Sequence, residues 1–169
     1  MSTEQEAEII TERREDLFRH IRNVQDSCFL LADRLIKNGE ERIGHELIAN
    51  AFIHDNSKWR GIEWKWLHRD VVGTENEPFF MEALKHHWSM NPHHPEHYNN
   101  GIHEMPRVFI AEMVCDWSAR SKEFCSDLRE WIKKEAVPKY NMTFQSNAYK
   151  QIKDMTDILL DPQFKKMKG

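Results

Sequence analysis

At 169 residues, with 40% hydrophobic and 31% charged side chains, the sequence is expected to form one soluble globular domain with a proper core. Its net charge of -4 excludes a broad basic surface, so duplex nucleic acid is not an expected partner. Six Gly and six Pro are too few for a strand-and-turn fold, and no stretch approaches the ~20 apolar residues of a membrane span.

The first helix is expected from Thr3 to Asn38. Leu17, Ile21, Val24, Cys28, Leu31 and Leu35 alternate by four and three into an amphipathic stripe, with His20 beside it. Asn38-Gly39 stops it. A second helix, Glu40 to Asp55, places Ile43, Leu47, Ala51, His54, Asp55 and Lys58 along one face, so an apolar run ends in three polar residues. Trp59 to Pro78 is expected to be aromatic and irregular, with a loop from Gly73. A third helix runs from Pro78 to Ser89, with proline in its first turn. His93 to Gly101 should be an ordered loop, since Pro92 and Pro95 forbid a regular helix. The fourth helix is placed from Pro106 to Glu135, with Pro138 as its breaker, and carries Glu112, Asp116 and Arg120 along one edge. A last helix spans Thr143 to Leu160. The fold class is all-α, a bundle of five to six helices. Cys28, Cys115 and Cys125 lack metal-type spacing and are expected to be reduced thiols.

The chemistry concentrates in Ile53-His54-Asp55-Asn56-Ser57-Lys58. An adjacent imidazole and carboxylate can share one divalent metal or serve one each of two. His20 precedes the pair, six histidines fall between His86 and His103, and Asp116 follows. Buried His and Asp are unfavourable without partners, and a metal explains their position at the ends of apolar helix faces. Such donors suit Mn, Fe, Co, Ni, Zn or Mg without selecting among them. His86 and His87 diverge by about 100° on a helix, so the two are not expected on the same ion. Glu112 is a candidate to orient a ligand histidine or take part in catalysis. Lys58, Arg22 and Arg120 are candidates to neutralise a phosphate, and His93 and His94 to contact substrate.

The order His20, His54-Asp55, Asp116 resembles the HD superfamily of metal-dependent phosphohydrolases, in which those four positions ligate one metal. The form His-Asp-x-Ser-Lys is similar to the HD-x-G-K motif of two-metal members. These are the HD-GYP cyclic-dinucleotide phosphodiesterases and the diiron oxygenases of the myo-inositol oxygenase kind. There, two further histidines lie between the HD pair and the last Asp, an interval occupied here by His86 or His87 and His93 or His94. The full pattern (H-I-R-N-V, HD-x-S-K, H-H-x3-N-P-H-H-P-E, E-M-x2-D-W) resembles a family of short, uncharacterised phage and bacterial proteins over about residues 15 to 122. No G-Y-P segment is present, so cyclic-dinucleotide hydrolysis is not implied. Where the nucleotidase branch places a Glu three residues after the HD Asp, this chain has Lys58.

The resemblance implies a single HD-like domain over residues 1–169, holding one or two divalent ions. It implies hydrolysis of a nucleotide or another small phosphate ester. The alternatives are a diiron oxygenase on the same scaffold and a binding protein that keeps metal as a structural clip. The expected partner is a small phosphorylated substrate, not a membrane; self-association into a homo-oligomer stays open. The Glu-rich N-terminus lacks an apolar signal core, which points to the cytoplasm, that of the host cell if the gene is viral.

Overall fold

The computed structural model describes residues 2–163, and every regular element among them is helical. Helix α1 (Thr3–Lys37) opens on a capping box: the Ser2 hydroxyl accepts from the Gln5 N–H, and the Gln5 side chain accepts from the Ser2 N–H. Its stripe is buried from His20 through Val24, Cys28 and Leu31 to Leu35, while its N-terminal turns are largely exposed. Gly39, at φ +88°, turns the chain into α2 (Glu41–Ile53), which packs back along α1. The two helices touch at Gly44, where a Cβ would meet Ile36 Cγ1 at 2.5 Å and the Ala32 carbonyl at 2.9 Å.

The segment expected to be irregular contains a short helix, α3 (Gly61–Trp66), and a 3-10 turn, Arg69–Val71. Its tryptophans pack rather than unravel: Trp59 stacks on Trp64 and Trp66 on Phe79 of α4 (Glu77–Met90). The histidine-rich loop that follows holds two 3-10 turns, Pro95–His97 and Gly101–Glu104.

Helix α5 (Arg107–Glu123) is the centre of the bundle. It is buried on most of its circumference and packs on α1, α2 and α8 (Asn147–Leu160). The expected long helix to Glu135 is corrected here. The chain breaks at Phe124, Cys125 takes a left-handed φ of 51°, and Asp127 caps a new helix by accepting from the Glu130 N–H. That helix, α6 (Leu128–Trp131), widens into a π turn (Ile132–Ala136) and continues as α7 (Val137–Lys139). Pro138 therefore does not end it. In the wide turn Val137 bonds back to the Ile132 carbonyl, which relieves the clash an α-helical proline would make.

Polar contacts between separate helices tie the bundle. Arg34 Nη1 donates to the Ile158 and Leu159 carbonyls at 2.8 and 2.6 Å, capping the end of α8. Arg107 grips Glu40 through two nitrogens (2.7 and 2.8 Å) and also reaches Asp154. The three cysteines are free, with Cys28 and Cys115 buried. No helix among the described residues is long and apolar enough to cross a membrane.

Candidate metal centre

The expected extension of α2 to Asp55 is corrected by the structure, and the correction builds the site. The helix stops at Ile53, His54 swings to ψ 126°, and Asp55 adopts the left-handed conformation (φ 56°, ψ 20°). Neighbours on a helix would point about 100° apart. The turn instead sends both side chains inward, where His54 and Asp55 are 2% and 1% exposed. A non-glycine residue at positive φ is uncommon, and aspartate is among those that accept it best. Such strain concentrates at functional sites.

Four histidine rings close on Asp55, and each is held from behind by a carboxylate. Nδ1 of His20 bonds Glu123 at 3.0 Å, and Nδ1 of His54 bonds Glu112 at 2.9 Å. Nδ1 of His87 bonds Glu63 at 2.8 Å, and Nδ1 of His93 lies 3.2 Å from Glu112. An ionised carboxylate can only accept, so Nδ1 carries the proton and Nε2 presents its lone pair to the interior. This carboxylate–histidine arrangement is the one metal-bound imidazoles adopt.

The inward atoms form two groups. Nε2 of His20 and His54 lie 3.7 and 3.6 Å from Asp55 Oδ2, and His20 Nε2 lies 3.1 Å from Asp116 Oδ1. On the other side, Nε2 of His87 and His93 lie 3.4 and 3.5 Å from Asp55 Oδ1, with His94 Nε2 2.9 Å from His87 Nε2. In the groups His20–His54–Asp116 and Asp55–His87–His93–His94, one donor atom per residue lies within 4.8 Å of the others. Nε2 of His20, His54 and His93, with Oδ1 of Asp55 and Asp116, are buried and meet no hydrogen-bond partner among the described residues. Orphaned buried atoms on five converging side chains fit a cation far better than a packed core. The buried His/Asp/Glu groups could thus hold a metal ion.

The electrostatics agree. Burial would raise Asp55, but the Lys58 ammonium and the His54 ring hold it well below the usual carboxylate range. Burial likewise opposes ionisation of Asp116 and Glu112; the neighbouring His20 keeps the first low, and the hydrogen bonds from His54 and His93 bring the second to about 2. For His54, burial disfavours charge, yet Asp55 and Glu112 outweigh it and raise the ring to about 9, so with no cation beside it Nε2 holds a second proton, which a bound metal ion would displace. The pocket holds buried anions that call for positive charge. His94 is the opposite case: burial, then His93 and His87, push it down to about 2, so it stays a neutral donor.

A cleft of about 410 Å³ opens onto this cluster. His20, Lys58 and Glu63 form part of its wall, and the exposed start of α1 supplies Ile9, Arg13 and Leu17. Lys58 Nζ donates to Asp55 Oδ2 at 2.7 Å, and Arg120 faces the cleft while bonding Glu123 at 2.9 Å. Arg22 is not brought to the site: it is exposed, and two positions from His20 it faces the far flank of α1. His86 and His87 share Glu63 but diverge as expected; the His86 side chain is 47% exposed, outside the cluster. His93 and His94, candidates for a second metal or for substrate contact, both sit with the donor groups.

Sequence reasoning missed the outer carboxylates Glu63 and Glu123 and the cleft residues Arg13, His68 and Arg69. Glu123 was findable, since Glu112, Asp116 and Glu123 fall within about 40° of one another around α5. Glu63 lies in the stretch read as irregular and gave no signal. A family model described as "Family of unknown function (DUF5662)" matches residues 10–163. No curated protein and no solved structure matches the chain.

Proposed function

The chain belongs to this family of unknown function, and from the site we propose that it is a metal-dependent phosphohydrolase of the HD type, acting on a small phosphate ester. The observation that carries the reading is the placing of Asp55 between two histidine groups, its Oδ2 toward His20 and His54 and its Oδ1 toward His87 and His93. His20, His54, Asp55 and Asp116 would hold one ion; Asp55, His87, His93 and His94 would hold a second. Ions there would polarise a phosphoryl oxygen and lower the pKa of a coordinated water.

The chain's own groups supply the rest. Glu112, Glu123 and Glu63 keep the imidazoles in the ligating tautomer. Lys58, anchored on Asp55 at the cleft wall, donates toward a phosphoryl oxygen and offsets the charge that builds there. The water oxygen bonds to phosphorus, the ester P–O bond breaks, and the alcohol departs with a proton. No acidic group stands where the nucleotidase branch has its Glu, so Lys58 acts as a cation rather than a base.

Elemental analysis with a panel of phosphate esters tests this. Purified protein should carry up to two Mn, Fe, Co, Ni, Zn or Mg ions, and His54→Ala should lose metal and turnover while staying helical. Wild-type protein that binds no divalent metal would sink the reading. A second reading, a diiron oxygenase, is favoured by the number of imidazoles facing the centre; iron content with oxygen consumption and no ester turnover would select it.

A further inference from the structure

Beyond the cleft lies a second hollow of about 560 Å³, and the two share Asp16, Arg69 and Arg120. The cleft is balanced in charge. The hollow is not: Arg19, Arg69, Arg120 and Lys122 face it against Asp16 and Glu123. Four cations to two carboxylates is a marked excess in a chain whose net charge is -4.

The pairing of these cations matters more than their number. Arg19 bonds Asp16, and Arg120 bonds Glu123 at 2.9 Å. Lys122 donates to the neutral Ser27 hydroxyl at 3.2 Å. The Arg69 guanidinium lies over the Phe124 ring, 4.7 Å from its centroid. Stacking uses the face of a guanidinium and leaves its edge donors free for an oxyanion. Basic residues in the last turn of α5 would be expected for the helix dipole alone. Arg69 comes from the 3-10 turn before α4, however, and meets them because the chain break at Phe124–Cys125 turns that ring beneath it.

The hollow is also linked to the metal centre through one residue. Glu123 Oε1 accepts from His20 and Oε2 accepts from Arg120, so the two sites stand on opposite oxygens of the same carboxylate. The cleft that opens onto the centre and the hollow share Asp16, Arg69 and Arg120, so a ligand seated at the centre would extend a second anionic group to the hollow along that shared wall.

We propose that Arg69, Arg120 and Lys122 form a second anion subsite, so that the substrate is a molecule bearing two phosphate groups, one cleaved at the metal centre and one held in the hollow. This rests on the phosphohydrolase reading for the first group. Calorimetric titration of Mn-loaded protein with inorganic orthophosphate and inorganic diphosphate, at fixed free Mn, tests it. Diphosphate should bind wild-type protein about 10- to 100-fold more tightly, the gain of one or two charge-assisted hydrogen bonds. In Arg69→Gln/Lys122→Gln that advantage should vanish while orthophosphate affinity holds. Equal affinity for the two ions in wild-type protein, or an advantage that survives the double substitution, overturns the subsite. Recovery of intact diphosphate after the titration confirms that the heat reports binding and not turnover. A protein that hydrolyses no ester but keeps the Arg69- and Lys122-dependent preference would lose the hydrolase reading and retain the subsite.

Discussion

At the scale of single residues, the histidines are set by what stands behind them. Glu112 accepts from His54 and lies against His93, while Asn50 donates to its other oxygen at 3.0 Å. Glu112→Gln keeps the shape but removes the charge and one acceptor. Metal affinity, followed by competition with a chelator, should fall about 10- to 100-fold, the usual effect of losing a group that orients a ligand; wild-type affinity in this variant would mean that Glu112 does not set the rings. Lys58 is placed to do something separable. Lys58→Ala should retain metal and lose about 10- to 1000-fold in turnover, the range for one charge-stabilising donor. Full activity in that variant would leave Lys58 a mere partner of Asp55. The candidate donors His20, His54, Asp55 and Asp116 were legible in the sequence because their types and order are unusual. Which of His86 and His87 faces the centre was not, since that depends on how α4 is rotated against α3.

At the scale of elements, helix ends decide what the site can be. The stop of α2 at Ile53 was misread as a longer helix, because the spacing of Ala51, His54 and Asp55 fits a helical face as well as a turn. Position alone does not reveal that Asp55 accepts a left-handed backbone. The same ambiguity hid the break after Glu123, where no Gly or Pro marks the stop and Pro138 offers a false one. The α1–α2 contact gives a test of the frame that carries His20 and His54. Gly44→Ala puts a methyl against Ile36 and the Ala32 carbonyl. Ile36 can shift but the carbonyl cannot, so overpacking should outweigh alanine's better helix propensity. We expect a loss of about 1 to 3 kcal/mol in denaturant unfolding, the usual cost of an extra methyl in a packed interface. An unchanged or raised midpoint would mean that the helices separate freely.

At the scale of the whole molecule, metal and fold should be coupled, because the donors come from α1, the turn after α2, α4, the histidine-rich loop and α5. An ion that binds this convergence and not the unfolded chain adds stability by mass action, about 2.7 kcal/mol at one hundred times its dissociation constant. Added Mn or Ni should raise the thermal midpoint of wild-type protein, and a chelator should reverse the gain; His54→Ala should respond to neither. A wild-type midpoint indifferent to metal would count against a centre that spans the bundle. The all-α class, the amphipathic stripe of α1 and the presence of a His/Asp donor set were determined by the sequence itself, because periodicity and residue type are local properties. The tertiary structure alone decided that both His93 and His94 join the donors, that Arg22 stays outside, and that Glu63 and Glu123 stand behind the rings. Those outcomes depend on how separate helices are turned toward one another, and side chains far apart in the chain meet only once the core has packed.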